Sequence, residues 1–223
     1  MNHLLHIFFM TRKLIILLYI LGFAYAQSLS IARIHYSGGG DWYSDPSSLP
    51  NLLTYVDKHT PISVYPEEFK VKLTDENINQ YPYLYLTGHG NIRFTNDEVI
   101  SLRTILMDGG FLHADDNYGM DESFRREIKR VFPNKNLVPL PHDHAIFHSY
   151  FNLPNGLPKV HEHDNQPPQA LALFEEDRIL LLYTYESDLG DGWEDASVHE
   201  DPWPIRESAL KMGVNIIYFT MTQ

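Results

Sequence analysis

The chain has 223 residues and a net charge of −12, from 17 basic and 29 acidic side chains, and it contains no cysteine. An acidic surface repels nucleic acid and anionic lipid, so neither is an expected partner. Without cysteine there are no disulfides, thiol nucleophiles or thiolate metal ligands, and the fold must depend on its hydrophobic core.

The N-terminus has the pattern of a secretory signal peptide. Arg12 and Lys13 precede an apolar run over residues 14–23, and Ala24-Tyr25-Ala26 supplies the small residues of a cleavage site. The run is short for a membrane span, with an uncleaved anchor as the alternative. We therefore predict a signal peptide over residues 1–26 and an exported protein, periplasmic or secreted, with no membrane span after cleavage.

Residues 27–223 contain no repeat or long linker, which predicts a single domain with a sizeable core. Cleavage would remove Arg12 and Lys13 and no acidic residue, so the basic count falls from 17 to 15 against 29 acids and the net charge becomes −14. Such a surface suits cations, neutral sugars or peptides.

Hydrophobic periodicity predicts alternating strands and helices along this domain. A hairpin is expected to turn at Glu176-Asp177, and the last segment to be a helix that stops at Gly213 and is followed by a strand. In chain order, the other predicted elements are strand 29–37, helix 45–60, strand 61–66, strand 83–90, helix 95–110 capped by Thr95 or Asn96, strand 111–115 and helix 120–134.

This alternation predicts an α/β fold, a three-layer sandwich with a mostly parallel sheet. In such folds the ligand lies beyond the carboxyl ends of the strands. Trp42 and Trp193, which follow predicted strands, offer either stacking surface or core. The candidate ligand-binding residues after the strands are Asp41, Trp42, His89, Asp115, Asp116, Asp188 and Trp193.

Asp115 and Asp116 form a doubled negative charge in the stretch GGFLHADDNYG. With His89 they could coordinate a divalent cation or act as an acid–base pair. These three residues are therefore the candidate metal ligands and, together with His144, the candidate catalytic residues. The structural alternatives are a helix cap for Asp116, a turn for Asp115 and a loop hydrogen bond for His89.

Further histidines occur in two short stretches. His144 and His148 are four residues apart, as paired metal ligands on a helix are, yet no zinc-protease motif accompanies them. His161 and His163 alternate in a proline-rich loop, where two imidazoles on one side can bind metal although such loops usually do not. The stretch SDLGDGWED is faintly similar to a calcium loop but lacks the EF-hand spacing.

Several motifs, taken in order, resemble one bacterial family: RIHYSGGGDW, YPYLYLTGHG, LRTILMDGGFLHADD, FRREIKRVFP, LPHDHAIF and GVNIIYFTMT. That family is domain of unknown function 4159, whose fold is similar to the class I glutamine amidotransferase-like and trehalose-utilisation (ThuA-like) proteins. The resemblance covers nearly all of residues 31–222. It implies a flavodoxin-like sandwich and assigns no activity.

The resemblance also bears on chemistry. Amidotransferases carry a nucleophilic cysteine after a central strand, and the corresponding place here is near Asp115 or Asp116. Since the chain has no cysteine, glutaminase chemistry is unsupported. The DHAIF stretch around His144 resembles one in the trehalose-utilisation group, with Ala145 where proline is usual.

Two functions stay open at this point, and with them the question of whether the protein is an enzyme. One is a binding module of the cell envelope that holds a small molecule or a partner protein in an acidic, histidine-containing crevice. The other is a metal-assisted or acid–base hydrolase acting on a carbohydrate-like or peptide-like substrate. The lack of a G-x-S-x-G elbow or other nucleophile motif slightly favours the binding module. A divalent metal is the one cofactor that these residues suggest.

Overall fold

A computed structural model describes residues 28–223, so the predicted signal peptide over residues 1–26 lies outside the described part. The strands are β1 (Ile31–Ile34), β2 (Phe69–Val71), β3 (Tyr83–Gly88), β4 (Phe111–Asp116), β5 (Val138–Pro139), β6 (Gln169–Glu175) and β7 (Arg178–Tyr185). They form one sheet in the order β2-β1-β3-β4-β7-β6-β5. The first five strands of that order run parallel, β6 is antiparallel to β7, and the edge strand β5 is antiparallel to β6.

Helices cover both faces of this sheet. One face packs against α1, α4 and α6, and the other against α2 and α3, which makes the predicted three-layer α/β arrangement. The helices are α1 (Ser48–His59), α2 (Asn96–Met107), α3 (Asp121–Val131), α4 (Leu189–Trp193), α5 (Ala196–His199) and α6 (Trp203–Thr222), with 3-10 turns at Ile78–Gln80 and Ala145–Phe147.

Helix α2 shows how local sequence sets these boundaries. The Thr95 side chain accepts a hydrogen bond from the backbone N–H of Glu98 (3.2 Å), and the Glu98 carboxylate accepts one from the N–H of Thr95 (2.7 Å). This reciprocal capping box satisfies two N–H groups that the first helical turn leaves free. The helix ends before Gly109, whose φ of +109° favours glycine. The prediction of Thr95 as the cap is confirmed.

The hairpin prediction is also confirmed. Strands β6 and β7 pair antiparallel, with Glu175 opposite Arg178, so the chain turns through Glu176 and Asp177. Glu176 has a φ of 51°, a left-handed conformation suited to a tight turn.

The prediction for the C-terminal segment was wrong, because α6 continues through Gly213 to Thr222 and no strand follows. Gly213 is present for close packing: a Cβ there would lie 2.5 Å from Leu52 Cδ1 and 3.1 Å from Trp193 Cζ2. The β-branched residues Ile216 and Ile217 belong to α6 and are buried against the sheet. Among residues 28–223, no helix, α6 included, is long and apolar enough to cross a membrane.

The predicted strand over residues 61–66 was also wrong. Only Val64 pairs there, in an isolated bridge with Leu29, and the edge strand beside β1 is β2, a few residues later. Pro61 and Pro66 flank the short segment, and proline cannot donate to a strand ladder.

The parallel strands bring several loops to one edge of the sheet. Since β1, β3, β4 and β7 run in the same direction, the segments that follow them share the carboxyl end. The functional candidates lie on these segments or at the end of β4, except for His144, which lies after β5.

Candidate functional site

Asp115 and Asp116 lie on opposite faces of the sheet. Both belong to β4, where successive side chains alternate between faces. Asp115 contacts Thr184 and Gly190, whereas Asp116 contacts the start of α3 at Met120. The doubled charge is therefore two separate carboxyls with different surroundings.

Asp116 lies beside the start of α3 but does not cap it, because Met120 is the N-cap residue and no side chain caps the helix. Its Oδ1 accepts a hydrogen bond from the N–H of Met120 (3.2 Å). Burial raises the pKa of Asp116 to about 6, an effect opposed by that backbone hydrogen bond. This contact ties the end of β4 to the start of α3.

Asp115 is fully buried at the end of β4. The Thr184 hydroxyl donates to its Oδ1, and the N–H of Gly190 donates to its Oδ2 (2.6 Å). Burial raises the pKa of Asp115 to about 8, and the charges of Asp45 and Asp191 add to the increase. A buried carboxyl so close to others is typical of functional sites.

A buried polar chain leads from Asp115 back into the core. The Thr184 hydroxyl that donates to Asp115 lies 3.0 Å from His113 Nε2, and His113 Nδ1 lies 3.5 Å from the Tyr83 hydroxyl. These contacts fit a neutral His113 with its proton on Nε2, since Thr184 has one proton to give and Tyr83 can donate to Nδ1. Burial lowers the pKa of His113 to about 3, which agrees with a neutral ring.

A dense group of histidines and carboxylates lies at the same edge, where the segment after β7 meets the loop before β6. The imidazoles are accessible: the side chain of His161 is 26% exposed, that of His163 22% and that of His199 30%. We call this group the His–Asp cluster, and it consists of His161, His163, Asp188, Asp191, His199 and Asp201.

His161 is held between two carboxylates of the His–Asp cluster. Its Nδ1 lies 2.9 Å from Asp191 Oδ2 and its Nε2 lies 3.1 Å from Asp201 Oδ2. A neutral imidazole donates from one nitrogen only, so the second contact needs a further proton or a cation. On its other side, Asp191 Oδ1 lies 3.6 Å from His199 Nε2.

Asp188 is the most deeply buried carboxyl of the cluster, with 1% of its side chain exposed. Its Oδ2 contacts His163 Nε2 and lies 3.8 Å from His161 Nδ1, whereas its Oδ1 has no hydrogen-bond partner among the described residues. Burial, reinforced by the charge of Asp115, raises the pKa of Asp188 to about 9. Leaving a buried carboxylate oxygen unpaired is energetically unfavourable.

The His–Asp cluster adjoins the buried carboxyls through Asn117. The Asn117 amide donates to Asp45 Oδ2 and lies 3.4 Å from Asp191 Oδ1. Burial raises the pKa of Asp45 to about 7, with a further contribution from the charge of Asp191. Asp45 and Asp188 thus converge from two different loops on Asp115, which lies at the end of β4.

Strained backbone also concentrates here. A positive φ is uncommon in residues other than glycine and is associated with functional sites. Of the described non-glycine residues with a positive φ, five lie on segments at the carboxyl edge: Asp45, Tyr118, Glu186, Asp188 and Glu200.

The family model for a domain of unknown function (DUF4159) matches residues 30–221, nearly the whole described chain. The chain belongs to this family. No curated protein matches it.

The remaining sequence candidates of the DUF4159 domain lie apart from the His–Asp cluster. His89 and Asp41 form an exposed pair, with His89 Nδ1 3.1 Å from Asp41 Oδ2. Trp42 stacks on His35 with ring centroids 4.1 Å apart. His144 Nδ1 accepts the N–H of Ile146 in the turn after β5.

Trp193 is buried in the core of the DUF4159 domain and its ring is not available for stacking on a ligand. Its Nε1 donates to the carbonyl of Ala209 (2.8 Å), and from the end of α4 its ring packs against α6 at Gly213. The exposed aromatic ring beside the cluster is Tyr118, which stacks on His163 with centroids 4.6 Å apart.

Sequence reasoning did not single out Asp45, Asn117, His199 or Asp201. His199 and Asp201 belong to the stretch VHEDP, which adds a histidine and two acids to those of SDLGDGWED just before it. This local density of histidines and acids, the residue types that bind metals, was the sequence signal that could have identified His199 and Asp201. Nothing in the sequence indicates that His161, forty residues before Asp201, lies against it.

Proposed function

We propose that the DUF4159 domain is an exported binding module that holds a small ligand or an envelope partner at the carboxyl edge of its sheet. The observation that carries the proposal is the convergence of Asp45, Asp115 and Asp188, three buried carboxyls with raised pKa values, beside partly exposed imidazoles. Perturbed carboxyls grouped at a strand edge are typical of binding and catalytic sites.

The charge and shape of this edge select the ligand class. Its carboxylates repel anions and favour cations or neutral, hydroxyl-rich groups. Tyr118 is 48% exposed and its ring lies on His163, which offers a flat surface for a sugar or peptide group. An oligosaccharide or a lysine-containing peptide fits both features.

The test compares two exposed tyrosines at the same edge. Oligosaccharides and lysine-containing peptides are titrated into the protein, its Tyr118→Ala variant and its Tyr43→Ala variant, Tyr43 being 62% exposed on the loop after β1. Loss of the Tyr118 ring should weaken binding about threefold to tenfold, while Tyr43→Ala leaves it unchanged. Equal effects of the two variants, or no binding by any probe, would refute the proposal.

Asp116→Ala provides a second comparison. Because Asp116 accepts the N–H of Met120 at the start of α3, removing this acceptor should lower thermal stability and leave probe binding intact. Weakened binding in a variant of unchanged stability would place Asp116 in the site and contradict a purely structural role.

A hydrolase is the second candidate, and His161 is the observation that favours it. An imidazole held by carboxylates at both nitrogens suits proton transfer. The same probes are incubated with the protein and analysed for cleavage products. Turnover that is lost in His161→Gln while binding persists would establish the hydrolase and exclude a pure binding module.

Export is part of the same proposal and depends on the A-x-A pattern at Ala24-Tyr25-Ala26. Expression of the full chain followed by N-terminal sequencing should give a mature protein that begins at Gln27 outside the cytoplasm. A protein that keeps its N-terminus in the cytoplasmic fraction would contradict it.

A further inference from the structure

We propose that His161, Asp191 and His199 bind a divalent transition-metal cation of the zinc class, with Asp188 joining the site through a bound water. The inference rests on the proposed binding function, since the cation would be the group that a hydroxyl-rich ligand approaches. It also accounts for contacts of the His–Asp cluster that hydrogen bonds alone leave incomplete.

The ligand atoms already have the spacing of a metal centre. One potential ligand atom from each of His161, Asp191 and His199 lies within 4.8 Å of the others. Two ligands of a tetrahedral zinc ion, at bonds of roughly 2.0–2.1 Å, are roughly 3.4 Å apart. Asp191 Oδ2 lies 2.9 Å from His161 Nδ1, and Asp191 Oδ1 lies 3.6 Å from His199 Nε2, on either side of that value.

His161 is oriented as a metal-binding histidine is. Ligand histidines generally donate their second N–H to a carboxylate, which fixes the ring and the tautomer. Here Nε2 of His161 lies 3.1 Å from Asp201 Oδ2. The lone pair of Nδ1 then points toward Asp191 and is free to bind a metal. Asp201 is the residue that positions the His161 ring.

Asp188 supplies an independent observation. Its side chain is 1% exposed, its carboxylate lies 3.8 Å from His161 Nδ1, and its Oδ1 has no partner in the described part of the chain. A buried carboxyl group that meets two imidazoles through Oδ2 and has no partner for Oδ1 is accounted for by a nearby cation, which would supply the missing charge.

The donor set selects the kind of metal. Two imidazoles with carboxylate suit zinc and its neighbours in the first transition row, whereas magnesium and calcium prefer sites made of oxygen only. Glu194, whose Oε2 lies 3.7 Å from His199 Nε2, is within reach as a further ligand. Three protein ligands leave a position for water or a ligand oxygen, as in catalytic rather than structural zinc sites.

The test uses zinc as the probe. Protein purified without a polyhistidine tag and treated with EDTA is titrated with Zn²⁺ in a calorimeter, and bound metal is counted by mass spectrometry. The variants are His199→Gln, Asp191→Asn and Asp201→Asn, with circular dichroism without metal to verify folding. His89→Gln is the matched control, because His89 is an exposed histidine paired with a carboxylate at the same edge.

We expect one zinc per chain in the wild type and in His89→Gln, with Mg²⁺ unable to compete. His199→Gln and Asp191→Asn should lose stoichiometric binding, and Asp201→Asn should weaken it about 10- to 100-fold as a positioning residue. The absence of stoichiometric zinc, or equal affinity in all folded variants, would overturn the metal site.

The two proposals fail in different ways. Zinc binding by a protein that binds no oligosaccharide or peptide supports the metal site and counts against the proposed binding function. Oligosaccharide or peptide binding by a protein that takes up no zinc supports the binding function and overturns the metal site.

Discussion

Acidification should destabilise the protein through His113 by an amount that the structure sets. His113 is fully buried and its pKa is lowered to about 3, whereas an exposed histidine titrates near 6.5. Between those values the unfolded chain binds a proton that the folded chain excludes. The stability from a neutral His113 is therefore fully present above about pH 6.5 and is lost as the pH falls.

The size of the effect follows from this difference. A pH of 5 is about 1.5 units below the pKa of the imidazole in the unfolded chain. Protonation of this imidazole therefore favours the unfolded state by about 2 kcal/mol relative to pH 8. Buried carboxyls such as Asp115, whose pKa is raised, act in the opposite direction over the same range. The total pH dependence of stability is therefore not diagnostic of His113.

The diagnostic quantity is the difference between the wild type and His113→Gln. Urea unfolding followed by tryptophan fluorescence at pH 8 and pH 5 gives the free energy of unfolding of each protein. The stability advantage of the wild type should shrink by about 2 kcal/mol on going to pH 5, and His113→Asn should give the same change. A wild-type advantage that is the same at both pH values would refute a buried, neutral His113.

Two further substitutions test the packing around the site. Arg33→Met should reduce the free energy of unfolding by about 3–5 kcal/mol, because it breaks a buried ion pair with Glu68 (2.6 Å). The control Lys70→Ala removes an exposed partner of the same carboxylate and should change the free energy of unfolding by less than about 1 kcal/mol. Similar losses in both would mean that burial of the Arg33 pair is unimportant. Gly213→Ala should destabilise by about 1–3 kcal/mol in thermal melts, since its Cβ would overlap side chains packed on α6; a gain in stability, as helix propensity alone predicts, would contradict that packing.

The sequence predicted the positions of Asp115 and Asp188 in the fold for a physical reason. Alternating strands and helices imply parallel strands, and parallel strands place their following loops together, which predicted Asp115 and Asp188 at one edge. The same period also determines that Asp115 and Asp116 point to opposite faces. Treating them as a pair overlooked a signal that the sequence contained.

The rest of the site depends on contacts that periodicity does not encode. His161 lies in a long irregular segment between β5 and β6, where no regular repeat fixes its direction. Its approach to Asp191 and Asp201 is set by tertiary packing of that segment. Gly213 was wrongly predicted to end a helix, because the sequence alone does not distinguish a glycine that permits close packing from one that ends a helix.

Strand β4 has a consequence for the coupling of folding to protons. At about pH 5 the unfolded strand carries a positive His113 and a negative Asp115, whereas the folded strand carries both side chains neutral. The proton that His113 releases on folding is matched by the one that Asp115 takes up. Two opposite charges thus disappear from a single strand with no net exchange of protons between them, whereas Asp116 of the same strand, whose pKa is raised to about 6, takes up most of one further proton.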